Sequence, residues 1–459
     1  MKCSLFTAVF LVACPVGAQD TFTANWESLD KRPTPQWWRD AKFGIMIHWG
    51  VYAVPAYAPT DMESVYAKYS EWYDQRLRKN DVNFTNFHAR IYGDRVSYAD
   101  FAAQFRAEHF DPGQWADLFQ KAGARYVVLT SKHHDGFALF PSACSPRWNA
   151  QVLGAHRDLA GDLAGAVRRR GLSMGFYYSL LEWNNPLYSK ETIGRWAEEM
   201  NHPQLKELVA RYRPDILSSD GDWDFSSAEF RSVDFLAWLF NESPVRETVA
   251  VNDRWGKETR GKHGGFYSIE YGLGHGKQTG DAPEHAWEES RGIGGSFGYN
   301  RFEEVRHYLT SAQCVELLVS TVSRGGNLKL NIGPRADGLI PVIMQERLLD
   351  MGKWLEVNGE AIYATTAWRH RPANMRENKV YFTKKPDVLY AICTRWPQES
   401  LVVDHIAKAD GVTLLGSPLP VAFSCADGRL TIQPPVVSPD NMPCDHAWVF
   451  KVSHPRDHM

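Results

Sequence analysis

From about residue 40 to residue 360, short apolar runs alternate with stretches whose apolar residues recur at helical spacing. Trp115, Leu118, Phe119 and Ala122 repeat at i, i+3, i+4 and i+7, one face of a helix. Asp111-Pro112 supplies a cap and a first-turn proline, and Gly123 a stop. The apolar run 126–130 follows and reads as a strand. The same order returns with Leu159, Leu163, Ala166 and Val167, closed by Gly171 before a strand at 174–178. It returns again with Leu205, Leu208, Val209 and Tyr212, closed by Pro214 before a strand at 216–219. Further strands are predicted at 43–47, 249–252, 266–269 and 327–332, in a helix, breaker, strand, polar-tip order. Seven recognisable strands predict an α/β fold, a (β/α)8-like barrel of about eight strands. No G-x-G-x-x-G follows the first strand, so an open doubly wound sheet is the weaker alternative.

Beyond about residue 366 the pattern changes to short β-rich runs at 380–383, 389–392, 401–403, 412–414 and 448–452, broken by Gly, Pro and Asp. This predicts a C-terminal antiparallel β-sandwich. Residues 1–18 read as a signal peptide: Lys2 is followed by a short apolar core and by Val16-Gly17-Ala18 as a small-residue cleavage site. Lipoprotein processing at Cys14 is the minor alternative. The expected organisation is 1–18 signal peptide, 19–365 catalytic barrel and 366–459 sandwich, in an exported protein: secreted, periplasmic or lysosomal. No later segment is apolar enough to span a membrane.

With 23% charged residues and a net charge of −3 over 459 residues, the chain has no concentrated basic face and is not expected to bind nucleic acid. The one basic run, Arg168-Arg169-Arg170, falls at a predicted helix end, where it serves the negative helix terminus. After residue 18 five cysteines remain, scattered and without metal-site spacing; a Cys425–Cys444 bridge is the one pairing suggested.

In a β/α barrel, chemistry gathers where strands end. Those ends carry His48, His133 and His134, Tyr178, Asp220, Arg254 and Glu270. Buried polar groups are costly without a purpose or partner, so their concentration is the signal. Two carboxylates at neighbouring tips are the minimum equipment for glycosidic bond cleavage. Asp220 stands closest to its strand. Asp222 and Asp224 suit a polar loop capping the next helix. Glu270 is the second carboxylate, while Glu288 and Glu289, in a loop flanked by Trp287, are rivals. The histidines raise a metal-dependent hydrolase as another reading. Adjacent His133 and His134 would point apart on a continuing strand, which is poor geometry for chelation and better suited to bonding sugar hydroxyls.

Several stretches resemble glycoside hydrolase family 29, the α-L-fucosidases. They run from Lys42 through His48-Trp49-Gly50-Val51-Tyr52, Ser70-Glu71-Trp72-Tyr73, Lys132-His133-His134-Asp135-Gly136-Phe137 and Phe176-Tyr177-Tyr178-Ser179. They continue through Ser219-Asp220-Gly221, Asn252-Asp253-Arg254-Trp255, Ser296-Phe297-Gly298-Tyr299-Asn300 and Asn331-Ile332-Gly333-Pro334. Their shared order over nearly the whole mature chain makes the resemblance specific. It implies a retaining, exo-acting α-L-fucosidase that needs no metal and no cofactor and acts on fucosylated oligosaccharides or glycoconjugates. It assigns Asp220 as nucleophile and Glu270 as acid/base, with Glu288 in reserve. It assigns sugar binding to His48, Glu71, Trp72, His133, His134, Tyr178, Arg254 and Phe297. One departure stands out: the family commonly has Trp two residues before the nucleophile, and this chain has Ser218. A non-catalytic fucose-binding protein on the same scaffold is the alternative. A homo-oligomer stays open as the state of assembly.

Overall fold

The computed structural model describes residues 21–272, 285–370 and 375–457. The expected signal peptide and Cys14 lie outside them. Eight parallel strands form one sheet: β1 Phe43–Ile47, β2 Tyr126–Lys132, β3 Ser173–Ser179, β4 Ile216–Asp220, β5 Ala250–Val251, β6 Tyr267–Glu270, β7 Trp287–Gly292 and β8 Asn327–Ile332. In space they run β5-β4-β3-β2-β1-β8-β7-β6. A parallel bridge from Asn252 to Phe266, just beyond β5 and just before β6, joins the two edges and closes the ring. The predicted barrel is therefore present, with all of its strand tips at one mouth.

The helices follow their sequence signals. Helix Pro112–Lys121 starts at Asp111, whose side chain accepts from the Gly113 and Gln114 amides, and the chain leaves it at Gly123 with φ +81°. Helix Leu159–Arg169 ends in the basic run, and Arg168 Nη2 donates to the carbonyl oxygens of Tyr212 and Arg213 at 2.7 and 2.8 Å. Apolar faces of these helices pack on outward-facing strand residues: Phe176 of β3 meets Tyr212 of helix His202–Tyr212 at 5.5 Å between rings.

The strand absent from the sequence reading is β7. Trp287-Glu288-Glu289-Ser290-Arg291-Gly292 carries charges where a strand signal needs apolar residues, yet it pairs with β6 and β8 in full register. Glu288 and Glu289 thus sit in a strand and not in a loop.

After the barrel, a five-stranded antiparallel sheet orders strands Gly411–Leu414, Trp448–Ser453, Val388–Cys393, Val380–Lys385 and Thr366–Ala367. Smaller antiparallel ladders of three and two strands accompany it. The large sheet packs on helices Ser311–Ser323 and Val342–Asn358: Tyr381 Oη donates to Glu316 at 2.8 Å, and Trp354 Nε1 to the Ala447 carbonyl at 2.8 Å. The five described cysteines are all free, so the suggested Cys425–Cys444 bridge is not formed. Among the described residues no helix is long and apolar enough to cross a membrane.

Candidate active site

The barrel mouth opens into a cavity of about 580 Å3. It brings together His48, Glu71, Trp72, His133, His134, Asp220, Arg254, Glu270 and Phe297, nine of the eleven residues expected at the site. The other two, Tyr178 and Glu288, do not line it.

Asp220 ends β4. The next residue, Gly221, has φ +74°, and a Cβ there would stand 2.5 Å from Leu181 Cβ, so the turn behind Asp220 requires glycine. Asp220 Oδ1 accepts from Arg254 Nη1 at 2.7 Å, and Oδ2 accepts from the Tyr177 hydroxyl at 2.8 Å. Burial alone would raise its pKa, but the guanidinium charges of Arg254 and Arg260 outweigh that and hold it well below the usual carboxylate range. The same Arg254 Nη1 lies 2.5 Å from Glu270 Oε1. One nitrogen therefore touches both acids. Their nearest oxygens can be no farther apart than those two contacts laid end to end. Arg254 is itself aimed by Ser268, whose Oγ accepts from Nε at 2.7 Å and donates to Asp253 Oδ1 at 2.6 Å.

The histidines are buried and neutral. His48 Nδ1 meets Asn331 Oδ1 at 2.6 Å, and the Asn331 amide nitrogen donates to the Phe297 carbonyl at 2.7 Å. That second bond fixes the amide, so His48 carries its proton on Nδ1 and leaves Nε2 as an acceptor. Desolvation pulls its pKa down to about 3. His134 is set the same way: Ser179 Oγ gives its proton to the Leu181 carbonyl at 2.7 Å and so accepts from His134 Nδ1 at 2.6 Å. Its Nε2 stands 3.8 Å from Asp220 Oδ2, and burial lowers its pKa to about 4. The expectation that His133 and His134 diverge is overturned. The strand ends at Lys132, the pleat stops, and both rings enter the cavity with centroids 4.1 Å apart.

Glu71 and Trp72 arrive on the short turn Ser70–Trp72 between β1 and β2. Glu71 Oε2 accepts from the Gly298 amide at 2.8 Å and Ser296 Oγ at 3.2 Å, which ties it to the segment carrying Phe297. Desolvation pushes its pKa up to about 7 despite those donors. Phe297 stacks on His48 at 4.9 Å, and Trp72 stacks on Trp223 at 6.0 Å.

Two corrections concern β3 and β7. Tyr178 faces the helices, donating to Gln204 Oε1 at 2.8 Å with Lys132 Nζ 4.4 Å from its ring centre. Its neighbour Tyr177 points inward instead. Glu288 is fully buried near the N-terminal end of β7, with Oε1 2.6 Å from Lys329 Nζ and Oε2 accepting from Tyr126 at 2.8 Å. Both oxygens are committed there. Asp222 and Asp224 cap no helix: Asp222 takes a two-point contact from Arg260 at 2.8 and 2.6 Å, and Asp224 accepts from Tyr188 at 3.2 Å. Residues missed from sequence are Tyr177, Trp223 and Arg260, which line the cavity, and Asn331, which orients His48. Among the described residues no group of three or more His, Cys, Asp or Glu side chains is arranged to hold a metal ion.

The Alpha-L-fucosidase family model matches residues 9–360, and the Alpha-L-fucosidase C-terminal domain model matches residues 373–453. An alpha-L-fucosidase of Branchiostoma floridae is 42% identical over 447 residues, covering 95% of this chain and 96% of the relative. Human tissue alpha-L-fucosidase is 41% identical over 446 residues, covering 94% and 92%. Thermotoga maritima alpha-fucosidase, solved in complex with a mechanism-based inhibitor, superposes with a TM-score of 0.79 at 36% identity, covering 94% of this chain and 100% of that one. On these matches, over barrel and C-terminal sheets alike, the chain belongs to the α-L-fucosidase family, glycoside hydrolase family 29, and is a glycoside hydrolase.

Proposed function

We propose that this protein is a retaining, exo-acting α-L-fucosidase that releases terminal α-L-fucosyl units from glycans by double displacement. The observation that carries the reading is the shared Arg254 nitrogen between Asp220 and Glu270. It brings two carboxylates into one cavity at a separation compatible with the roughly 5–5.5 Å of retaining glycosidases.

Asp220, held ionised by its cationic surroundings, attacks the anomeric carbon as the C1–O bond to the aglycone breaks. Glu270 gives its proton to the departing oxygen. An ester to Asp220 results. Water then attacks the same carbon, Glu270 takes the water proton, and Asp220 leaves as a carboxylate with the sugar configuration retained. In the first step Arg254 stays with the charge on Asp220. A single guanidinium between two acids balances one negative charge at a time. When the ester consumes the charge on Asp220, Arg254 is left to support Glu270 as the base.

His48, Glu71, His133, His134 and Arg254 hold the ring hydroxyls, with His48 Nε2 as a fixed acceptor. Trp72 and Phe297 cover apolar parts of the sugar. The barrel of residues 19–365 is the catalytic unit in this reading, and the protein is exported. The test is Asp220→Gly assayed with an aryl α-L-fucoside. Turnover should vanish, and azide should restore it as a fucosyl azide of inverted configuration. Substantial activity without azide would refute the nucleophile assignment.

A further inference from the structure

Ser218 lies two residues before Asp220 on the same face of β4 and lines the cavity floor. It is 2% exposed, and its Oγ has no hydrogen-bond partner among the described residues. A buried hydroxyl left unpaired is unfavourable, and native folds rarely keep one unless something entering the site bonds it. The rest of the floor is mixed. Met46 contributes an apolar side chain, while Ser290 and Lys329 are polar, with the Lys329 charge taken up by Glu288 at 2.6 Å.

Such a floor is ill matched to a methyl group alone. In the proposed function the ring hydroxyls of a fucosyl unit go to the histidines, Glu71 and Arg254, which lie beyond the strand ends, whereas Ser218 lies within β4. The substituent left for the floor is the carbon on C5. In L-fucose that carbon is a methyl; in L-galactose, otherwise identical, it carries one hydroxyl. Resting on the fucosidase reading, we propose that this protein also hydrolyses α-L-galactosides, with Ser218 as the specificity-determining residue that bonds the additional 6-hydroxyl. The bond-making and bond-breaking steps are those of the fucoside reaction. Ser218 contributes only binding, by exchanging a hydrogen bond with that hydroxyl in a space that the short serine side chain leaves open.

The full-length protein should be assayed with an aryl α-L-fucoside and the corresponding aryl α-L-galactoside, as wild type, Ser218→Ala and Ser218→Trp. Wild type should turn over both, with kcat/KM values within about a hundredfold. The galactoside-to-fucoside ratio of kcat/KM should fall about fivefold in Ser218→Ala, the effect of one neutral hydrogen bond. It should fall further in Ser218→Trp, where the bulky ring fills the floor and rejects the extra oxygen. Inhibition of the wild type by free L-galactose at concentrations within about tenfold of those of L-fucose would support the same conclusion without any variant. Fucoside turnover with no detectable galactoside turnover, or a ratio unmoved by Ser218→Ala, overturns this proposal alone. Turnover of neither substrate overturns the fucosidase reading and this proposal with it.

Discussion

Tyr177 and Tyr178 are chemically identical neighbours that the fold sends to opposite faces of β3, so replacing each by Phe separates chemistry from scaffolding. The Tyr177 hydroxyl donates to Asp220 Oδ2 at 2.8 Å in a site where Asp220 is 9% exposed. Hydrogen bonds to charged groups contribute about 1.5–3 kcal/mol. That stabilisation exists when Asp220 is a carboxylate and is lost when it is an ester. Tyr177→Phe should therefore speed the first step, in which the ground-state carboxylate loses more than the transition state, and slow the second, where Asp220 departs as an anion. If roughly half of the charge is present at each transition state, the first step gains and the second loses about four- to twelvefold. With an activated aryl α-L-fucoside, whose first step is fast, kcat should fall, KM should fall further so that kcat/KM rises, and a burst of phenol should appear before steady state. Tyr178→Phe should show wild-type kinetics and a stability loss of about 1 kcal/mol from its bond to Gln204. Equal falls in kcat and kcat/KM for Tyr177→Phe without a burst would show that the hydroxyl does not act on the departing Asp220 carboxylate. So would the reversed pattern, with Tyr178→Phe the kinetic variant.

Three further outcomes follow from the same geometry. Glu270→Ala should impair fucosides with poor leaving groups far more than activated aryl fucosides, because only the former need protonation; a uniform loss would remove Glu270 from the acid role. Glu288→Gln should keep wild-type leaving-group dependence but cost about 3 kcal/mol in denaturant unfolding, since it strands the buried Lys329 charge; an altered leaving-group dependence would move the acid to Glu288. Glu71, held up to about 7 by desolvation, keeps a proton in the fold that the unfolded chain releases near the ordinary 4.5. Its contribution is thus complete below about pH 4.5 and is lost as pH rises through 7, a change of about 3 kcal/mol. Glu71→Gln should flatten the loss of stability between pH 5 and pH 8 measured by thermal unfolding, and an unchanged slope would contradict the burial argument.

The barrel was legible because β1 to β6 and β8 announce themselves as apolar runs after helix breakers. β7 was hidden because its polar residues are satisfied by partners distant in sequence: Glu288 meets Lys329 of β8 and Tyr126 of β2. A hydropathy pattern registers the charge and not the partner. The two tyrosines of β3 show a signal that was available. Met174 and Phe176 are apolar and belong to the helix-facing core, so alternation sends Tyr178 with them and Tyr177 inward. For the paired histidines, alternation misled because the strand stops at Lys132, a boundary that the apolar pattern does not mark. Asp220, Glu270 and Arg254 were found because they sit at strand tips. Their common nitrogen contact depends on loop and barrel geometry that no local pattern encodes.

Double displacement requires a covalent bond between Asp220 and the sugar. Incubation with a 2-fluoro-2-deoxy-α-L-fucosyl donor bearing a good leaving group, followed by peptide mass spectrometry, reads out that bond. One fluorofucosyl adduct per chain should form, on the peptide containing Asp220 and lost in Asp220→Gly. An adduct on any other carboxylate, or steady turnover of the donor without one, would contradict it.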